Sequence, residues 1–266
     1  MIFNWVLCFL LPAAVFGYPP YTLKINDAPN NGTGRCIWYG ECHSGILTKQ
    51  NCAYNGPPKP MDPTTSAYQR FAEHCPKTAR DGEAAGGLCC DADMITTLLS
   101  QVSMAEQFFK SCPSCVQNFD QLWCESTCSP MQSSFLQVTS LNKNSKGQNY
   151  VTGIKYFLTD RYAQTLFNSC HYVHAGANFY AMTYFCDGKL FKDCKYTDFI
   201  KFLGKNPLSP FTIDFIRTTS NSTVPAGIKP INDTNISCGT SAGPGKDACS
   251  CSDCPSKPGC KKRLQL

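Results

Sequence analysis

A disulfide-rich secretory domain that combines helices with strands is the fold this sequence predicts. Three observations lead there. Residues 1–17 read as a secretory signal, with an apolar run from Val6 to Leu11 and Val15-Phe-Gly17 suited to cleavage, although a charged start is missing. The chain holds 19 cysteines, and removing Cys8 with the signal leaves 18, which implies nine disulfides in an oxidising lumen. Segments of helical spacing and segments of strand-like alternation both follow.

The 266 residues are enough for one large or two small domains with a real core. The signal's apolar run falls short of the ~20 residues a membrane span needs, and no later stretch qualifies, so the processed chain is expected to be soluble. Four acceptor sequons, at Asn31, Asn221, Asn232 and Asn235, agree with a secretory route. The formal charge is a modest +5, and the only basic run is Lys261-Lys-Arg263, so 261–266 reads as a basic tail. Nucleic acid is not an expected partner, because no basic stripe with interleaved aromatics appears.

In chain order, residues 18–35 form a Pro-, Asn- and Gly-rich leader. Cys36-Ile-Trp-Tyr-Gly-Glu-Cys42 is an apolar segment bracketed by cysteines, with Asn51-Cys52 a loop away. Gly56-Pro-Pro-Lys-Pro60 is an extended spacer. Tyr68, Phe71, Ala72 and Cys75 set a helical spacing from Thr65 onward. Asp91 caps a second helix carrying Met94, Leu98 and Gln101, and Ser103 with Glu106 resembles a capping box for a third, ending near Lys110.

The central helix runs between Pro113, tolerated at a first helical position, and Pro130, where it must have stopped. Cys115 and Cys124 are nine residues apart, which at about 100° per residue puts them on opposite faces; Cys124 and Cys128 share one. Oxidised, these sulfurs would pin the helix from two sides. Ser134–Val138 and Ile154–Leu158 read as strands. Thr159-Asp160 starts a helix through Cys170, Thr197 caps another, and Pro210–Ile216 is the last strand. Residues 217–236 read as surface loop. Residues 238–260 hold five cysteines and too little apolar surface for a core, and should form a disulfide-held flap.

Enzymatic chemistry finds little support. Cys112-Pro-Ser-Cys115 has redox spacing but no preceding strand, and so many other cysteines favour structural bonds. A metal site at Cys249, Cys251, Cys254 and Cys260 loses to oxidation in an extracellular setting. His171 and His174 are expected to be a solvated pair, with no carboxylate placed beside them. No G-x-S-x-G or H-E-x-x-H occurs. No enzyme, metal or cofactor is expected. The informative excess is 17 Phe and 12 Tyr in a chain with 16% charged residues. Most must fill a core, but a cystine-braced shell could also hold open an apolar pocket, the usual form of a lipid site. The alternative is a secreted protein-interaction module without a lipid pocket.

Read together, Cys36-Ile-Trp-Tyr-Gly-Glu-Cys42, Asn51-Cys-Ala-Tyr-Asn-Gly-Pro-Pro-Lys-Pro60, Leu88-Cys-Cys-Asp91, Cys112-Pro-Ser-Cys115 and Cys124-Glu-Ser-Thr-Cys-Ser-Pro130 resemble the N-terminal lumenal domain of the Niemann–Pick type C1 sterol transporter family. So do Pro210-Phe-Thr-Ile213 and Cys249-Ser-Cys-Ser-Asp-Cys254. The resemblance implies an α+β domain at 18–260, helices around a small mixed sheet, enclosing a deep apolar pocket for one sterol. By analogy the disulfides join Cys36 to Cys89, Cys42 to Cys52, Cys75 to Cys124, Cys90 to Cys128, Cys112 to Cys249, Cys115 to Cys170, Cys186 to Cys194, Cys238 to Cys254 and Cys251 to Cys260.

The resemblance further implies that Asn51 hydrogen-bonds the sterol hydroxyl, that Glu41 supports it, and that Trp38 packs near that end. Leu98, Trp123, Tyr156, Phe167, Phe202, Leu203 and Ile213 would line the pocket, with Tyr184, Phe185, Pro210 and Phe211 at a mobile mouth. One position departs from the family. Its second hydroxyl ligand, a glutamine, is Met94 here, and a thioether cannot donate. A lost neutral hydrogen bond costs ~1 kcal/mol, under tenfold in affinity, so binding is expected to survive with looser selectivity.

Family members receive sterol from a small soluble carrier of the Niemann–Pick type C2 kind and pass it to a membrane-embedded remainder. The parent protein is accordingly expected in the endolysosomal membrane or, if the Met94 branch serves dietary sterol, in the apical membrane of gut cells.

Overall fold

The structure, a computed structural model, describes residues 34–45, 48–177, 179–205 and 209–260. The signal at 1–17, the Asn31 sequon and the tail at 261–266 lie outside the described residues.

The first element is a hairpin that pattern reading passes over. β1 (Cys36–Ser44) pairs antiparallel with β2 (Lys49–Gly56), setting Glu41 opposite Asn51 and Trp38 opposite Ala53. Register shifts between Trp38 and Glu41 break the alternation that would announce a strand. Gly40 sits within that irregularity at φ +76°, a conformation that favours glycine.

α1 (Ser66–His74) starts where expected, with the Thr65 hydroxyl accepting from Tyr68 N at 3.3 Å. α2 (Pro76–Ala85) follows directly. Its buried face is Thr78, Ala79 and Gly82, too small and polar to register as an apolar stripe. α3 (Ala92–Phe109) is one helix, not the two expected. Asp91 Oδ1 accepts from Met94 N at 2.9 Å, as a cap should. The Ser103 hydroxyl, however, donates back to the Ser100 carbonyl at 2.9 Å, and Glu106 turns to His74, so no capping box interrupts the run.

α4 (Pro113–Cys128) is buried on most sides. Phe119 and Leu122 are almost fully covered, worth roughly 1.5–3 kcal/mol each. The strand expected from Ser134 begins two residues later. Residues 132–135 form a short helix, α5 (Gln132–Phe135), before β3 (Leu136–Lys143). The Gln132 side chain fixes that turn, accepting from Ile37 N at 3.0 Å and donating to the Ser126 and Thr127 carbonyls at 2.9 Å.

β4 (Asn149–Thr159) leads into α6 (Asp160–Cys170), capped by Thr159. α7 (Ala181–Phe185), a 3-10 turn (Phe191–Asp193), α8 (Tyr196–Gly204) and β5 (Thr212–Thr218) complete the order. α8 starts ahead of Thr197, because the Asp198 carboxylate accepts from Lys195 N at 3.1 Å and sets the first turn. β4 is the axis of a mixed sheet. It pairs antiparallel with β3, parallel with β5, and meets β2 at Cys52 and Tyr150. α8 closes tightly on β5, since a Cβ on Gly204 would stand 2.3 Å from the Ile213 carbonyl.

The fold is α+β, helices around a five-stranded mixed sheet. Nine disulfides brace it, with the partners that the family resemblance names. The helix α4 is held through Cys115 to α6, through Cys124 to Cys75 and through Cys128 to Cys90. Cys112 and Cys115 bond to Cys249 and Cys170, not to each other. Among the described residues, no helix is long and apolar enough to cross a membrane.

Candidate ligand-binding cavity

α3 packs against α4, and the two helices leave a space between them and the hairpin. The space left is a cavity of about 130 Å³. Leu98, Val102, Ala105 and Phe108 of α3 form one wall; Phe119 and Trp123 of α4 form another. Tyr184 and Phe185 of α7, with Pro210 and Phe211 before β5, complete the apolar lining. At one end the lining turns polar, with Glu41, Lys49 and Asn51 from the hairpin beside Met94 and Thr97.

Three contacts define that polar end. Glu41 Oε2 holds the Lys49 ammonium at 2.7 Å, and this pairing pushes the lysine above its ordinary range. Met94 Sδ accepts from Gly40 N at 3.0 Å, so the thioether serves the hairpin backbone. Asn51 is 8% exposed as a residue, and its side-chain amide makes no hydrogen bond to a described residue, yet its polar atoms are not sealed from solvent. Such an amide is open to water or to a ligand's polar group.

Of the residues anticipated for the site, Glu41, Asn51, Met94, Leu98, Trp123, Tyr184, Phe185, Pro210 and Phe211 line the cavity. Six others sit behind it. Trp38 meets Phe211 in a tilted contact with centroids 5.1 Å apart, its indole N–H donating to the Thr127 carbonyl at 3.3 Å. Tyr156 is fully buried between sheet and α4, its hydroxyl donating to the Leu122 carbonyl at 3.0 Å. Phe167 packs on Phe199 and His171. Phe202 packs against Tyr184 and Phe185, while Leu203 and Ile213 belong to the core between α8 and β5. Sequence reading missed Val102, Ala105 and Phe108. They continue the Leu98 stripe at spacings of three and four, a signal hidden once α3 was divided at Ser103.

The histidines are not a solvated pair. His171 Nε2 meets the Phe191 carbonyl at 2.8 Å, and burial lowers its pKa. His174 does have a carboxylate, Asp253 of the flap, at 2.8 Å. The partner comes from 79 residues away, beyond the reach of local spacing. Of the sequons, Asn221 is exposed, Asn232 accepts from the Thr159 hydroxyl at 2.8 Å, and the Asn235 amide donates to the Tyr162 carbonyl at 2.9 Å and the Thr165 hydroxyl at 2.8 Å.

Comparison with known proteins places this geometry in context. The family model described as Niemann-Pick C1 N terminus matches residues 33–266. NPC intracellular cholesterol transporter 1 of Sus scrofa is 34% identical over 231 residues, 82% of this chain and 17% of that protein. NPC intracellular cholesterol transporter 1 homolog 1b of Drosophila melanogaster is 33% identical over 189 residues, 68% of this chain and 15% of that protein. NPC1-like intracellular cholesterol transporter 1 of Rattus norvegicus is 29% identical over 263 residues, 94% of this chain and 19% of that protein. The chain therefore spans less than a fifth of the length of these relatives. With the hairpin, the cysteine framework and the cavity-bearing helices all inside the matched region, the chain belongs to the Niemann–Pick C1 N-terminal family.

Proposed function

We propose that this domain binds one sterol between α3 and α4 and hands it on, as the lumenal part of a larger membrane transporter. The observation that carries the reading is the Asn51 amide, without a hydrogen bond to a described residue, at the polar end of a largely apolar cavity. A sterol is a rigid apolar plate with one neutral hydroxyl. Glu41 and Lys49 neutralise each other, so that end suits a hydroxyl better than a charge. The names of the relatives, intracellular cholesterol transporters, support the same ligand class. With Met94 engaged by Gly40, Asn51 is the hydroxyl's main partner here.

The cavity as it stands is small. At about 130 Å³ it is close to the size that admits a benzene ring, whereas drug-sized ligands fill about 300–1,000 Å³. Entry of a whole sterol thus requires the mouth rings to swing out, Tyr184 and Phe211 first. Tyr184 is already 44% exposed, and Met104 beside the cavity 48%, an apolar rim on which a small soluble sterol carrier could dock. Release to the membrane-embedded remainder would use the same opening. The setting would be the lumenal or extracellular face, of an endolysosomal or an apical gut-cell membrane.

The test is equilibrium binding of radiolabelled cholesterol to purified protein. Saturable one-to-one binding is expected, reduced up to tenfold by Asn51→Ala and abolished by Leu98→Trp, which fills the cavity. Absence of saturable binding to the unaltered protein would overturn the proposal and favour an interaction module.

A further inference from the structure

Behind the cavity wall, on the side of α3 and α4 that faces α1, three side chains meet that the ligand site does not use. His74 ends α1, Glu106 lies in the last turns of α3, and Asp120 is in the middle of α4. His74 Nδ1 is 3.1 Å from Glu106 Oε1 and 3.5 Å from Asp120 Oδ2. The donor atoms of all three lie within 4.8 Å of one another. Two carboxylates and one imidazole converge from three separate helices.

Burial makes this arrangement costly as it stands. The Asp120 side chain is 3% exposed, and its Oδ1 has no hydrogen-bond partner. An unsatisfied oxygen on a buried carboxylate, with a second carboxylate alongside, demands a proton or a cation, a need that protonated His74 meets when no metal is bound. Another cation, Lys246, donates to Gln117 Oε1 at 3.1 Å, so its ammonium is engaged elsewhere although its charge is felt at Glu106. Gln117 in turn donates to the His74 carbonyl at 2.9 Å, fixing the helix end that carries the imidazole.

We propose that His74, Glu106 and Asp120 form a binding site for one divalent cation of the zinc class, clamping α1, α3 and α4 together. The donor chemistry is apt, since imidazole nitrogen and carboxylate oxygen are both zinc ligands. So is the spacing. Ligands about 2.0–2.1 Å from a tetrahedral zinc stand about 3.3–3.4 Å apart; the two imidazole–carboxylate separations, 3.1 and 3.5 Å, bracket that edge, and the two carboxylate oxygens lie within 4.8 Å of each other. His74 is 34% and Glu106 17% exposed, which leaves an entry path and room for water in a fourth position. The metal would replace the proton on His74 Nδ1 and any proton shared by the carboxyls.

The experiment uses tag-free, chelator-treated protein titrated with zinc chloride by calorimetry, and with cobalt chloride by absorption spectroscopy. One equivalent should bind, with visible bands of tetrahedral cobalt that zinc abolishes. Loss of an outer-shell partner already costs about 10–100-fold in metal affinity, so His74→Gln and Glu106→Gln should each cost at least that. Glu106 is partly exposed and its change should leave the fold intact, as circular dichroism would check. His174→Gln, altering a histidine outside the cluster, should bind like the unaltered protein. No binding, or binding equal in the unaltered protein and both cluster variants, would overturn the proposal and leave a shared proton as the cluster's counter-charge.

Discussion

The two walls of the cavity are built to different standards. The wall of α3, α4 and the hairpin is fixed many times over: three cystines leave α4 itself, and Asn118 bonds both Ser169 of α6 and Ile236 in the segment before the flap. The mouth, formed by α7, α8 and the 209–211 segment, has one cystine, Cys186–Cys194, closing a separation of 8 residues. Away from the cavity α8 is tied down by Lys189–Asp198 and Tyr196–Asp160, but beside the cavity the contacts are ring on ring. Phe108 stacks on Tyr184 at 4.9 Å, and Tyr184 meets Phe202 at 5.6 Å. Such pairs give about 0.5–1.5 kcal/mol each beyond burial and can be exchanged for equivalent contacts with a ligand. One wall holds a shape; the other can trade its contacts.

The largest test of that contrast is to open one bridge on each side. Cys115→Ser with Cys170→Ser frees a separation of 55 residues and should cost about 2–5 kcal/mol in chemical denaturation. Cys186→Ser with Cys194→Ser frees only a separation of 8 and should cost at the lower end of that range or below it. Equal losses would mean that the mouth is as structural as the floor. Next in size is Asn118→Ala. Its amide donates at 3.0 and 2.8 Å and its oxygen accepts from Ile236 N at 2.8 Å, so removal strands buried groups on two elements. About 1–3 kcal/mol should be lost, measured as a shift in denaturation midpoint.

Which parts could be read from the residues follows the same division. α4 was legible because two prolines bracket it and its cysteines declare their faces. α1, α3 and α6 were legible from Thr65, Asp91 and Thr159, local caps that act over three residues. The hairpin was not, since bulges erase its period, and α2 was not, since its buried face lacks large apolar groups. Asn51, Glu41 and the mouth aromatics came from family likeness, not from periodicity. What no local pattern shows is where distant chains meet: Met94 with Gly40, His174 with Asp253, His74 with Asp120. Those contacts depend on three-dimensional packing, and the first explains how a methionine serves at the polar end.

A smaller effect is expected at the mouth itself. Tyr184→Ala removes a ring that is 44% exposed, so stability should change by less than about 1 kcal/mol. If the mouth gates a sterol, both the association and the dissociation rate should rise together in stopped-flow exchange, with the equilibrium constant little altered. A large loss of stability with unchanged rates would place Tyr184 in the structural wall instead.

The smallest effect marks the border between the two walls. His171 ends the rigid α6 and binds the Phe191 carbonyl of the 3-10 turn, just before the Cys194 end of the mouth cystine. Burial is the main influence on it and lowers its pKa, with the carbonyl opposing. A histidine with a folded pKa below its unfolded value, about 6.5, contributes stability that is present above that pH. The contribution drains away as pH falls through the folded value, because the unfolded chain then binds the proton more readily. Acidification should therefore loosen the Phe191–Asp193 turn before it affects α4. Amide exchange compared at neutral and acidic pH should speed up in the turn, and His171→Gln, which cannot take up the proton, should flatten that pH dependence. Equal acceleration in α4 would show that acid acts on the fold as a whole, and the mouth would lose its claim to be the weaker side.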